Sequence, residues 1–281
     1  MSSSEKQISL YFHIHLVSDS TGETLVSAMK ASIAQFDHVI PIEHLYALVR
    51  SERQLERVLE NIANAPGMVI FTVVDEKLRR ILERRCAELN MPCIAVLDPL
   101  LAAMSRSLGE PMTRKTGAQH HLDAGYFSRL DALNFAMSHD DGQNTEELNE
   151  AEVILVGVSR TSKTPTTIYL AHRGVKAANV PLVAGQDLPP VFDSLKGPLV
   201  VGLTAAPDRL VQIRRNRLLS FKETRPTSYV EEDSVREEVI AAKRLFARRG
   251  WPVIDVTRRS VEETSAKIIN LFNDFKEGVI T

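Results

Sequence analysis

Two kinds of apolar spacing take turns along this chain. Short runs rich in β-branched and aromatic residues, ISLYFHIHLV from residue 8, VIPIEHLYALV from 39, MVIFTVV from 68 and PCIAVLD from 92, alternate with stretches whose apolar positions recur every three or four residues. Those stretches read as helices from Glu23 to about Gln35, around 52 to 63 and over 76 to 89. Strand and helix in this order predict a parallel sheet with helical crossovers. Residues 1–108 are therefore expected to form one α/β domain.

The pattern breaks up over 109–150, where GEPMTRKTGAQHH reads as a loop, YFSRLDALNFAMSH as a helix and DDGQNTEELNE as a polar connector. The domain junction is placed here. A second α/β series over 151–281 opens on AEVILVG and continues through VPLVAG, PLVVGLT and WPVIDV, with helices after the first and third of these. Ser234 with Glu237, and Ser260 with Glu263, have the spacing of capping boxes, and Gly250 followed by Pro252 closes the earlier of the two helices. The expected fold is thus α/β, two domains with largely parallel sheets.

The stretch VILVGVSRTSKTPTTIYLA brings chemistry into the picture. A phosphate loop needs a buried strand ending in glycine, a turn whose amides point inward, and a helix whose positive end faces the anion. Val153–Val156 supply the strand, Gly157 the exit, and Val158, Ser159, Arg160, Thr161 and Ser162 the turn. Lys163 and Thr164 stand where GxxxxGK[ST] places its phosphate-reaching ammonium and its magnesium-binding hydroxyl. Pro165 suits a first helical turn, and Gly174 ends the helix. Ser162 departs from the pattern: it stands where the second glycine would be, and because glycine there adopts torsions that cost other residues energy, the loop is expected to be shaped differently from the common form. Arg160 compensates with a guanidinium able to hold phosphate oxygens in pairs. The alternative is an ordinary Ser/Thr-rich turn with a helix cap.

LVSDSTGETLVSAM repeats the strand, turn and helix logic near the N-terminus. Ser20 and Glu23 have capping-box spacing, and Ser18, Ser20, Thr21 and Gly22 make a candidate second anion site, with Asp19 a candidate catalytic carboxylate at a strand end. Asp140 and Asp141, just ahead of the first strand of the second series, are candidates to hold magnesium or accept a hydroxyl proton. Asp75 and Asp98 read as helix caps. Arg209, Arg214, Arg215, Arg217, Lys222 and Arg225 form a basic stretch that clamps phosphate or is simply an exposed face. His120 and His121 lack a third ligand at zinc spacing, so no zinc site is expected.

Composition narrows the classes. In 281 residues, 44% are apolar and 25% charged, the profile of a globular protein in two domains. A formal charge of −2 argues against a nucleic-acid binder that works by neutralising phosphates along a groove. No basic start precedes the first apolar run and no apolar stretch reaches a membrane span, so the expectation is a cytoplasmic protein without signal peptide or membrane segment. Cys86 and Cys93 lack the paired spacing of a zinc or redox motif and read as free thiols. The oligomeric state is left open, a homo-oligomer included.

Taken together, VSDSTGETL, RLDALNFAMSHDDG, GVSRTSKTPTTIYLA and TSYVEEDSVREEV resemble the bacterial regulatory proteins of pyruvate, phosphate dikinase and of phosphoenolpyruvate synthase, with SDSTGET closer to the dikinase type. The resemblance implies a bifunctional enzyme that phosphorylates a target threonine with ADP and removes that phosphate with inorganic phosphate, releasing pyrophosphate. It also implies ADP binding at Gly157–Thr164. A magnesium ion on Thr164 and a base among Asp140, Asp141 and Asp19 fit phosphoryl transfer. The rival readings are an ATP-dependent kinase of a small metabolite and a nucleotide-sensing module without catalysis.

Overall fold

The computed structural model describes residues 10–113, 124–220 and 228–279. It divides into two compact units, Met1–His121 and Leu122–Thr281. His120, His121, Lys222 and Arg225 lie outside the described residues.

The first unit is α/β. Its strands are β1 (Leu10–Ser18), β2 (Val39–Tyr46), β3 (Gly67–Thr72) and β4 (Cys93–Ala95), and its helices α1 (Glu23–Ile33), α2 (Glu52–Asn64), α3 (Glu76–Glu88) and α4 (Asp98–Leu108). The strands run in the order β2-β1-β3-β4, all parallel. Apolar residues at three- and four-residue spacing turn Leu55, Val58, Leu59 and Ile62 of α2 onto Val17, Val69 and Phe71 of the sheet. Asp75 caps α3 by accepting from the Leu78 amide at 2.9 Å. Asp98 is no cap: it is the first residue of α4, and its carboxylate pairs with Arg79.

The second unit repeats the architecture with β5 (Val153–Gly157), β6 (Ala177–Pro181), β7 (Leu199–Thr204) and β8 (Val253–Asp255) in the order β6-β5-β7-β8, again all parallel. α6 (Lys163–His172) and α9 (Val261–Lys276) cover one face, packing Leu170, Ile268 and Phe272 onto Val153, Leu155 and Val201. The other face carries α7 (Pro207–Ser220) and α8 (Glu232–Arg249), with Leu210, Val239 and Phe246 against Ile154, Val156 and Val200. Residues expected as a connector belong here: α5 (Ala124–Ser138) packs Ala132 and Ala136 against Ala171 of α6.

Three local readings change. The strand expected over 180–185 lies at 177–181, because the chain leaves the sheet after Pro181 and turns at Gly185 (φ 75°). Ser234 caps nothing, since α8 already starts at Glu232 and the serine hydroxyl turns back to Glu231. Ser20 does not cap α1, whose N-cap is Gly22 in the left-handed region (φ 83°) with no side-chain cap. Ser260 and Glu263 do form the expected capping box. Among the described residues no helix is long and apolar enough to cross a membrane.

Candidate functional site

β5 is buried along its whole length, as a strand covered on both faces must be. Its last residue runs so close to β7 that a Cβ on Gly157 would lie 2.5 Å from the Leu203 carbonyl oxygen. Only glycine fits there. In the turn that follows, Arg160 (φ 76°) and Ser162 (φ 58°) are both left-handed, a conformation that costs an L-residue roughly 1–2 kcal/mol. Ser162 therefore holds torsions that a glycine adopts freely. Side chains fix the turn: buried Thr161 donates to the Val158 carbonyl at 3.0 Å, Thr166 to the Ser162 carbonyl at 2.7 Å, and Arg214 to the Ser159 carbonyl at 3.2 Å.

Lys163 begins α6 and is only 6% exposed. Its Nζ folds back to donate to the Val158 carbonyl at 3.1 Å. Burial lowers its pKa to about 8; the charges of Asp141 and Asp140 oppose the shift, while Arg160 and Arg214 add to it. The ammonium therefore sits on the loop with little to neutralise it, and an incoming anion would supply what is missing.

Beside it, exposed Thr164 donates from Oγ1 to Asp140 Oδ1 at 2.9 Å, and Asn179 Nδ2 reaches Asp140 Oδ1 at 2.5 Å and Thr164 Oγ1 at 3.0 Å. Backbone bonds place the aspartate: Asn179 N donates to His139 O at 3.0 Å and Gly142 N to Asn179 O at 2.8 Å, so residues 139–142 run along the β6 edge. Asp141 is exposed and left-handed (φ 53°). The buried Asn179 Oδ1 has no hydrogen-bond partner among the described residues. Asp140, Thr164 and this orphaned amide oxygen are hard oxygen donors of the kind magnesium takes, with phosphate oxygens completing its shell. Among the described residues there is no group of three or more His, Cys, Asp or Glu that could hold a metal ion.

A wall of residues that sequence reasoning did not single out as a unit backs the loop. The Arg214 guanidinium, fully buried, pairs with Glu238 through Nη2 at 2.7 Å and Nη1 at 3.2 Å, donates to the Tyr229 carbonyl at 3.0 Å, and lies 4.6 Å from the centre of the Tyr229 ring. Tyr229 Oη lies 3.1 Å from Ser159 Oγ and accepts from Arg160 Nε at 3.3 Å. Burial pushes the phenol up, but hydrogen bonds with Ser159 and Arg160 and the two guanidinium charges outweigh it and leave its pKa lowered. Of the described residues of the basic stretch, Arg214 turns inward, sharing a face with Leu210 and Val211, while Arg209, Arg215 and Arg217 are exposed. That helical spacing was the available signal. Asn179, a lone amide in the apolar strand AANVP, offered another, and Tyr229 lies in TSYVEEDSVREEV, one of the stretches that carry the resemblance.

The candidates of the first unit lie at the end of β1 and the start of α1. Buried Ser18 accepts on Oγ from the Ser20 amide at 3.1 Å and from Thr72 Oγ1 at 3.0 Å. Asp19, also buried, is committed: its carboxylate accepts from the Val74 amide at 2.8 Å and its carbonyl from Arg50 Nε at 2.8 Å. Thr21 is exposed, and Gly22 leaves the first amides of α1 without a side-chain cap. Asp19, Arg50 and Asp75 line a cavity of about 210 Å³ here.

A sequence model described as kinase/pyrophosphorylase matches residues 14–269. A protein of Caulobacter vibrioides is 63% identical over 263 residues, covering 94% of this chain and 84% of its own; one of Maricaulis maris is 60% identical over 260 residues, covering 92% and 93%. A Rhodopseudomonas palustris protein is 53% identical over 265 residues, covering 94% and 95%. All three are provisionally named as pyruvate, phosphate dikinase regulatory proteins. With nearly its whole length matched, this chain belongs to the kinase/pyrophosphorylase family.

Proposed function

We propose that this chain is a bifunctional regulator of pyruvate, phosphate dikinase, a protein phosphotransferase that places the β-phosphoryl group of ADP on a threonine of that enzyme and takes it off again with inorganic phosphate. In the forward step the threonine oxygen bonds to the β-phosphorus as the bridging oxygen departs with AMP. In the reverse step an oxygen of inorganic phosphate attacks the phosphothreonine, which leaves as the hydroxyl, and pyrophosphate forms. The observation that carries the reading is the cluster at the C-terminal end of β5: a left-handed turn, a buried lysine at the helix start, and Thr164 bonded to Asp140. Family membership and the names of the relatives support it, and those names favour the dikinase over phosphoenolpyruvate synthase as acceptor.

The residues divide the work. The loop amides from Val158 to Thr164 and the start of α6 face the diphosphate, and Lys163 moves from the Val158 carbonyl to a terminal oxygen, where its charge is worth most as negative charge shifts in the transition state. Asp140 and Thr164 would hold magnesium, which when bound neutralises phosphate oxygens. With Asp140 on the ion the acceptor's proton goes to Asp141, and Asp140 takes it where Thr164 alone holds the metal; Asp19, whose carboxylate already holds the Val74 amide, is the remaining carboxylate to test. For the reverse reaction, Ser18, Ser20, Thr21 and Gly22 are the proposed site of inorganic phosphate, supported by the uncapped start of α1.

Incubation with β-labelled ADP and purified dikinase, with phosphoenolpyruvate synthase as a parallel acceptor, tests this. Label on a dikinase threonine together with AMP is expected, and loss of both in Lys163→Met. Label arriving only from ATP, label on a small molecule, or ADP binding without transfer to either protein refutes it.

A further inference from the structure

A cavity of about 1120 Å³ opens in the second unit between the 182–190 loop and α8. It touches the phosphate loop, since Val158 forms part of its wall and the amide of Leu182 donates to the Gly157 carbonyl at 3.0 Å. Nothing in the loop's own chemistry accounts for it.

Its lining states what it can hold. Leu182 and Leu188 give it an apolar side, while Asp187 and Glu237 contribute carboxylates without a salt-bridge partner among the described residues. Glu238 is already engaged by Arg214. The cations that line the cavity, Arg248 and Arg249, stand at the far end of α8, roughly 15 Å along the helix from Glu238, and Arg249 is tied to Asp193 at 2.6 Å. The end nearest the loop is thus negative and partly apolar. That excludes an anionic group and suits a neutral ligand with an apolar ring and hydroxyls that donate to carboxylates, as a ribose does.

We infer that this cavity receives the nucleoside half of the donor, its base against Leu182 and Leu188 and its sugar hydroxyls donating to Glu237 or Asp187, while the diphosphate lies on the 158–164 loop. The inference rests on the loop reading of the preceding subsection. It explains why one residue, Val158, belongs to both the loop and the cavity wall, because the bond from sugar to phosphate must pass there.

Paired titrations of the full chain with ADP and with pyrophosphate, which has the phosphates and no nucleoside, separate the two readings. Ala241 is exposed on α8 and lines the cavity, so Ala241→Phe fills space without opening the core. Ala241→Phe and Glu237→Gln should each weaken ADP by about tenfold and leave pyrophosphate within about twofold, whereas Lys163→Met should weaken both ligands. Circular dichroism of each variant confirms that it is folded. ADP affinity unchanged in both cavity variants, with Lys163→Met still defective, overturns the cavity inference and leaves the loop reading standing; so does a loss of transfer to the protein acceptor without loss of ADP affinity, which would mark the cavity as a docking groove for peptide. Pyrophosphate and ADP affinities both indifferent to Lys163→Met refute the loop reading itself.

Discussion

Ser162 offers a test of the loop that depends on no assay of activity. The residue stands at φ 58° and ψ 27° immediately ahead of α6, its side chain is exposed, and it makes no cap hydrogen bond. An L-residue held there loses roughly 1–2 kcal/mol relative to glycine, and glycine returns about 0.5–1 kcal/mol through the greater freedom of its unfolded chain. Ser162→Gly should therefore stabilise the second unit by about 0.5–1 kcal/mol. Ser162→Val, whose branched side chain resists positive φ, should cost about 1 kcal/mol or more. Trp251 is the only tryptophan and packs against Phe192 and Phe246, so its fluorescence reports unfolding of this unit alone. In urea titrations the midpoints should fall in the order Gly above Ser above Val. A glycine variant less stable than the parent, or a valine variant equal to it, would show that residue 162 is not left-handed.

Three further outcomes follow from the same geometry. With Lys163 at a pKa of about 8 against an ordinary 10.5, burial disfavours its charged form; this penalty is full below pH 8 and fades as pH rises towards 10.5, so calorimetry in buffers of different ionisation enthalpy should show uptake of about half a proton per ADP bound at pH 8 and about a tenth at pH 7, and none in Lys163→Met. Glu238→Leu strands the buried Arg214 charge and should cost about 3 kcal/mol or more by urea titration, while Arg214→Met with Glu238→Leu recovers much of the loss; equal costs for single and double variants would refute the pairing. Gly157→Ala sets a methyl against the Leu203 carbonyl and should destabilise the second unit by about 1–3 kcal/mol, visible as a lowered midpoint on the same fluorescence signal.

The parts of this molecule that repeat were legible in its sequence, and the parts that depend on distant pairs were not. VILVG and MVIFT announce buried strands because covering both faces leaves no polar position. Ser260 and Glu263 announce a helix start because both partners of the box lie within one turn. The same three-residue spacing misled at Ser20 and Ser234, where the helix begins elsewhere and the local signal has no competitor in the sequence to correct it. Asp140 looked like part of a solvated connector; what moves it to Thr164 is the bonding of residues 139–142 to Asn179, nearly forty positions away. Arg214 and Tyr229 meet Ser159 from separate segments, 55 and 70 positions along the chain, and Glu238 joins them through Arg214.

The two units invite comparison because their strand orders correspond, and the comparison bears on which loop holds the nucleotide. In each, the first strand of the unit ends in a short turn, a left-handed residue stands immediately before the helix, and the helix opens with a charged residue and a threonine: Gly22, Glu23, Thr24 in the first, Ser162, Lys163, Thr164 in the second. The backbone solution is shared and the charge is reversed. At Lys163 an ammonium adds to the positive end of α6, and both favour a diphosphate; at Glu23 a carboxylate opposes the positive end of α1, and buried Asp19 adds a second negative charge to the same turn. The positive field is therefore stronger at the lysine loop than at the first, which is the reason the proposed donor is set on Gly157–Thr164 rather than on the first loop.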